Sequence, residues 1–241
     1  MSEPKYKRVL LKISGEGLCV TGGSGIDSAE MRRLADEIKL VVDLGVQVSV
    51  VVGGGNLVRG DVIAKDSPIE ETTGHYMGML ATVINALAVQ DTLEAIGVPT
   101  RVQSALAVDT VCERVVRRRA IRHLEKGRVV IFAAGTGNPF VTTDTGAALR
   151  ATEVGADVLL KATKVDGVYT ADPVTDPSAR RIEHLTYTDV INRQLGVMDV
   201  SAVDLCRKSG IPIIVLDLKK SGNMRAVVQG EAIGTMIDAG G

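Results

Sequence analysis

The sequence predicts an α/β fold, a three-layer sandwich with a mostly parallel central sheet and helices on both faces. Three observations predict it. Short runs of Val, Ile and Leu without polar alternation read as strands buried on both sides. They alternate with segments whose apolar residues recur at helical spacing. Three of them break directly into glycine-rich loops. The 241 residues suit one large domain or two intimate lobes; no linker-like stretch or fixed-period repeat divides them, so a single domain over 1–241 is expected.

The first strand, over 9–13, opens onto a glycine-rich loop over 14–25. Asp27-Ser28-Ala29-Glu30 has the form of a capping box, and Met31, Leu34, Ala35, Ile38, Val41 and Val42 then recur at helical spacing. A second apolar strand, 46–52, breaks into Gly53-Gly54-Gly55-Asn56. From Met77 to Val89 a helix is too apolar for one buried face, which predicts a partner subunit on its other side. Strands over 98–102 and 128–133 flank a helix from about 111 to 125, and the second of them runs into Gly135-Thr136-Gly137-Asn138-Pro139. The remainder reads as a helix over 143–153, a strand over 157–161, an irregular Asp-Pro loop, a helix near 198–208, a strand over 212–216, a helix over 223–229 and a strand over 232–237.

Composition excludes several functions. Lys and Arg total 28 against 29 Asp and Glu, a formal charge of −1, so no broad cationic surface for nucleic acid is expected. Aromatic residues make up 2% and Trp is absent, which argues against base-stacking platforms and aromatic sugar clefts. Cys19, Cys112 and Cys206 are far apart and odd in number, supporting neither a disulfide framework nor a zinc site. Residues 72–90 match a membrane span in length, but His75, Tyr76, Thr82, Asn85 and Gln90 interrupt them, so a buried helix is expected and no membrane. The start of the chain lacks the apolar core of a secretory signal. A cytoplasmic protein is expected.

In an open parallel sheet, ligands bind beyond the carboxyl ends of the strands, and loops without side chains let backbone N–H groups approach phosphate oxygens. Three such loops on one edge suggest more than one phosphorylated group; the plainer alternative is a set of tight turns. Neither G-x-x-x-x-G-K-[ST] nor a helix-opening G-x-G-x-x-G is present, so the cradle is of another type. Lys12, Arg59, Lys161 and Lys164 stand beside the loops as candidate phosphate cations, against the alternative of lysines snorkelling at the surface.

Five blocks, in order along the chain, carry a resemblance: Lys12-Ile13-Ser14-Gly15-Glu16; Gly53-Gly54-Gly55-Asn56 with Arg59-Gly60; Met77-Gly78-Met79-Leu80-Ala81-Thr82; Gly135-Thr136-Gly137-Asn138-Pro139-Phe140 with Thr142-Thr143-Asp144; and Lys161-Ala162-Thr163-Lys164-Val165-Asp166-Gly167-Val168-Tyr169. Together they closely resemble the bacterial UMP kinases (uridylate kinases) of the amino-acid kinase superfamily, from about residue 6 to residue 237. The resemblance implies the amino-acid kinase fold and ATP-dependent phosphorylation of UMP to UDP in pyrimidine nucleotide biosynthesis. It implies an N-terminal part that holds UMP and a C-terminal part, about 150–241, that holds ATP. Lys12, Ile13, Ser14 and Gly15 would contact the ATP phosphates with help from Gly55 and Arg59, and Thr163, Tyr169 and Asp172 would border adenine and ribose. Gly54, His75 and the run Thr136, Gly137, Asn138, Pro139, Phe140, Val141, Thr142 and Thr143 would hold UMP. Lys12, Arg59 and Lys161 would act on the transferring group, with Asp144 orienting the lysines. Mg2+ would arrive with ATP, with no dedicated protein cage. The family's assembly and the apolar 77–89 helix together imply a homohexamer, with GTP as a candidate activator and UTP as a candidate inhibitor.

Two departures stand out. The family usually has Asp two residues before the Met-Gly-Met block, where this chain has His75. A neutral imidazole accepts one hydrogen bond where a carboxylate accepts several; the plain alternative for His75 is a solvent-facing residue at a helix start. Arg101 and Arg128 suit an effector site, yet Gln90 and Glu94 fill positions that are basic in some relatives. The basic run from Arg114 to Arg128 reads as a solvated helix face or as an effector or nucleic-acid patch, and Asp199 as a cap or charge partner at a helix start. Two rival functions remain open in the sequence: a superfamily kinase with a carboxylate or carbamate acceptor, and a non-catalytic nucleotide-binding storage or regulatory protein.

Overall fold

The computed structural model describes residues 3–240 except 60–64, 66, 172–174 and 177. In chain order the elements are β1 (Arg8–Ile13), a 3-10 turn (Gly15–Leu18), α1 (Ser28–Val42), β2 (Gln47–Val52), α2 (Glu71–Ala95), β3 (Thr100–Ser104), β4 (Glu113–Arg114), α3 (Arg117–Glu125) and β5 (Val129–Ala133). There follow α4 (Thr143–Val154), β6 (Val158–Thr163), β7 (Val168–Tyr169), β8 (Arg181–Ile182), β9 (His184–Thr186), α5 (Tyr187–Asn192), α6 (Val200–Ser209), β10 (Ile213–Asp217), α7 (Asn223–Val228) and β11 (Thr235–Asp238).

Among the described residues nine strands form one sheet in the order β4-β3-β5-β2-β1-β6-β10-β11-β9, while β7 and β8 make a separate hairpin. Every ladder of the large sheet is parallel except β10 with β11. The continuous apolar strands have the physical reason expected of them. Val9, Leu11 and Ile13 point into a core shared with α1, α2 and α7, whereas Leu10, Leu159 and Ile213 point into a second core under α3, α4 and α6. Each such side chain, fully buried, contributes roughly 1.5–3 kcal/mol. The period-2 alternation of a strand puts Lys12 on the same face as Leu10, and Lys161 on the same face as Leu159.

Some elements differ from expectation. The helix expected from about 111 starts at Arg117, because residues 113–114 pair with β3 and the β-branched Val115 and Val116 continue extended. Helix α2 begins earlier than Met77 and ends beyond Val89. The last strand covers only 235–238 and runs antiparallel. At Asp27 half of the capping box forms: its carboxylate accepts from Ala29 N and Glu30 N, while Glu30 pairs with Arg33 instead. No described helix is long and apolar enough to cross a membrane.

Candidate active site

Strands β1, β2 and β5 run in one direction, so the loops that follow them emerge at one edge of the sheet. There they enclose a cleft of about 320 Å³ whose lining includes Lys12, Gly15, Gly54, Arg59, His75 and Asn138. The first two loops touch backbone to backbone. A Cβ on Gly53 would stand 2.7 Å from Gly15 N; one on Gly15 would press on Asn56 Oδ1 and lie 2.7 Å from Gly55 N. Only hydrogen fits at either position, so both glycines are required by packing before any ligand is considered.

Helix α2 carries polar residues on its buried face that fix two loops. Asn85 Nδ2 donates to Gly53 O at 2.8 Å and to Asn56 Oδ1 at 2.7 Å, and Asn56 Nδ2 donates back to Asn85 Oδ1 at 3.1 Å. One turn earlier, Thr82 Oγ1 accepts from Ala134 N at 2.6 Å. Ala134 has φ 60°, a left-handed conformation that a non-glycine residue holds only when its surroundings impose it. Only their polarity, in an apolar helix and after a glycine run, hinted at the roles of Asn56, Thr82 and Asn85.

Under the cleft floor lies a buried ion triad. Lys12 and Lys161 are cross-strand neighbours in the β1–β6 ladder, so their side chains leave the sheet side by side. Lys12 Nζ lies 2.6 Å from Asp144 Oδ1; Lys161 Nζ lies 2.6 Å from Oδ1 and 2.7 Å from Oδ2. Asp144 sits in the first turn of α4, which Thr142 caps by accepting from Asp144 N and Thr145 N. Burial alone would raise the Asp144 pKa, but the two ammoniums outweigh it and hold the carboxyl below the usual range. Burial, followed by the adjacent Lys12 charge, lowers the Lys161 ammonium to about 8. The result is a buried pair of lysines held on one carboxylate, of which Lys12 lines the cleft.

A second carboxylate bridge lies nearer the surface. Glu16 pairs through Oε1 with Arg59 and through Oε2 with Lys164 at 2.5 Å. Asp199 links two helix starts: it caps α6 by accepting from Ala202 N at 2.8 Å, and it accepts from Thr145 Oγ1 at 2.7 Å and from Thr142 Oγ1. Its expected role as a cap holds, and its grip on α4 adds support for Asp144.

Of the expected UMP run, Asn138, Val141 and Thr143 line the cleft and Thr142 serves as the α4 cap. Thr136, Gly137 and Pro139 form the turn between them. Phe140, with φ 63°, meets His75 edge to face at 4.7 Å between centroids. Among the described residues His75 Nε2 is buried without a hydrogen-bond partner, 3.8 Å from Glu71 Oε1, and the half-buried ring is not the freely solvent-facing residue of the plain alternative. Ile13, Ser14 and Thr163 border a neighbouring hollow that contains Lys164, and Thr163 and Tyr169 border another with Val165, Leu195 and Val197. Asp172 lies outside the described residues.

Arg101 and Arg128 lie at the opposite ends of the strands from the glycine loops. Arg101 pairs with Glu94 at 3.0 Å, and Arg128 meets His123 Nδ1 at 3.1 Å. In the basic run, Arg114 pairs with Asp109 at 2.6 Å, Arg122 with Glu125 at 3.3 Å, and Arg117 donates to Glu153 O at 2.6 Å. Those pairs are what a solvated face makes. Among the described residues no three His, Cys, Asp or Glu side chains gather as a metal-binding group.

Comparison with known proteins gives the family. Residues 7–217 match the model of the amino acid kinase family. A uridylate kinase of Paramagnetospirillum magneticum is 58% identical over 236 residues, covering 98% of each chain. A uridylate kinase of Methylococcus capsulatus is 54% identical over the full length of both. The crystal structure of a UMP kinase from Bacillus anthracis superposes with a TM-score of 0.94 at 39% identity, covering 98% of this chain and 97% of that one. With two lysines gathered on one aspartate beneath converging glycine loops, and with likeness along its whole length, the chain belongs to the amino acid kinase family.

Proposed function

We propose that this chain transfers the γ-phosphoryl group of ATP to UMP, giving UDP and ADP. The observation that carries the reading is the pair of buried lysines on Asp144, one of which, Lys12, lines the cleft where the three loops meet. Phosphoryl transfer through a loose transition state needs donor and acceptor held in line and cations around the moving group. The UMP phosphate oxygen is already ionised, so no general base is needed. Asp144 has both oxygens engaged by lysines and acts by orienting them. Backbone N–H groups of the loops at 15, 53–55 and 135–138 supply further donors. The acceptor fits the N-terminal part, between the Gly54 and 136–143 loops and His75. ATP fits mainly the 150–241 part, with its phosphates along residues 12–15, Gly55 and Arg59 and its base near Thr163 and Tyr169. Magnesium enters bound to ATP and offsets phosphate charge; Asp144 and Glu16, both engaged by cations, leave it few protein ligands.

The same reading includes a cytoplasmic homohexamer. Tyr76, Leu80 and Ile84 form an outward apolar stripe on α2, exposed by 41%, 46% and 54%, which a second subunit would cover. A GTP effector site would use Arg101 and Arg128, each of which already has a partner within the chain, and UTP remains a candidate inhibitor. One assay tests the activity: ADP release from ATP and magnesium with UMP, CMP, aspartate, glutamate or carbamate as acceptor. Turnover with UMP is expected, and turnover only with an amino acid or carbamate would overturn the reading.

A further inference from the structure

Glu16 stands on the ridge between the main cleft and the neighbouring hollow that contains Thr163 and Lys164, and it lines both. A phosphate chain reaching from that hollow toward Lys12 would pass beside it. Its two carboxylate oxygens are divided between Arg59, from the end of the second glycine loop, and Lys164, from just beyond β6. The site thus contains two carboxylates, each bridging two cations, and they differ in depth. Asp144 is 15% exposed between lysines at 6% and 11%. Glu16 is 34% exposed between Arg59 at 54% and Lys164 at 57%. A buried bridge is costly to break, because release leaves uncompensated charge in a poor dielectric. An exposed bridge is worth little and opens readily to a competing anion.

We infer that Glu16 is a stand-in for the nucleotide phosphates: with the site empty it holds Arg59 and Lys164 across the phosphate path, and it gives them up when a polyphosphate enters. Glu16 is therefore a positioning residue, and it competes with ligand for the cations it holds. It keeps the two long side chains from swinging into solvent before ATP arrives. It also opposes retention of ADP after transfer, because the leaving diphosphate and the carboxylate seek the same two cations. The inference rests on the phosphoryl-transfer reading of the cleft.

The test is the Glu16→Gln variant, which keeps the shape of the side chain and removes its charge. Dissociation constants for ADP and for inorganic tripolyphosphate are measured by calorimetry at several salt concentrations, beside steady-state kinetics. Both ligands are expected to bind about three- to ten-fold more tightly, as loss of two exposed ion pairs to a competitor implies, with a steeper salt dependence. The KM for ATP is expected to fall while that for UMP stays put, and Glu16→Asp, which keeps the charge, is expected to move affinity back toward that of the parent chain. Unchanged or weaker binding of tripolyphosphate and ADP by Glu16→Gln overturns the inference. If the parent chain itself neither bound ATP nor phosphorylated UMP, the functional reading would fail instead, so the two failures are distinct.

Discussion

Replacing Asp144 by Asn removes the charge that lets two ammoniums coexist under the cleft. Both Nζ atoms lie 2.6 Å from the same Oδ1, so they stand no more than twice that distance apart. At about 5 Å, with an effective dielectric of about 20, their repulsion is about 3 kcal/mol. Loss of one partner from a buried ion pair typically costs about 3–5 kcal/mol, which is consistent. The pH dependence follows. Lys161, already lowered to about 8 with Asp144 in place, falls further in the variant, because the carboxylate that favoured its charged form is gone. In the unfolded chain it titrates at the ordinary lysine value, so over the intervening range the unfolded state binds more protons and stability rises with pH. That rise starts at lower pH in the variant than in the parent. Urea unfolding without ligand, at about pH 6 to 9, is therefore expected to show a deficit of about 3 kcal/mol that shrinks as pH rises toward 8. A deficit that stayed constant or grew over this range would refute the shared-carboxylate account. The kcat should fall by about two orders of magnitude at every pH, because misplaced cations no longer follow the phosphoryl group.

Three further outcomes are expected. In the parent enzyme kcat/KM for ATP should decline as pH rises through about 8, where free Lys161 loses its proton, while the decline in kcat lies at higher pH because bound phosphates favour the ammonium; a flat kcat/KM profile up to about pH 9.5 would rule out a required Lys161 cation. His75→Asp should lower the KM for UMP with little change for ATP, and equal KM values for UMP would show that residue 75 does not touch the acceptor. Thr82→Val keeps the side-chain shape but leaves Ala134 N buried without an acceptor, so chemical denaturation should show a loss of about 1–3 kcal/mol; a change below a few tenths would mean that the loop finds another partner.

Strands buried on both faces were legible because apolar residues dominate where a strand faces two cores, and β1, β2, β5, β6 and β10 read that way apart from the buried Lys12, Ser49 and Lys161. The glycine loops were legible for a related reason: only hydrogen fits where Gly15 meets the backbone of the next loop. Short edge elements were not. β4, the β7–β8 hairpin, β9 and α5 are two to six residues long and depend on tertiary partners rather than on any period. Nor did the residues alone reveal the triad, since Lys12 and Asp144 meet only after five strands have been ordered; the resemblance supplied that link. Glu16 lies within a recognisable motif, yet its partners, Arg59 and Lys164, come from segments whose proximity no local pattern encodes.

The registry of Lys12 with Lys161 makes the sheet a ruler. The roots of the two charges sit opposite each other on adjacent strands, so their spacing is inherited from the inter-strand pitch of about 4.8 Å and not from the flexible side chains above. Sliding β6 by a single residue against β1 would turn Lys161 toward the α1–α2 face and carry the cation away from its aspartate. Residues 158–161 should therefore tolerate exchanges among apolar side chains far better than any insertion or deletion, however small.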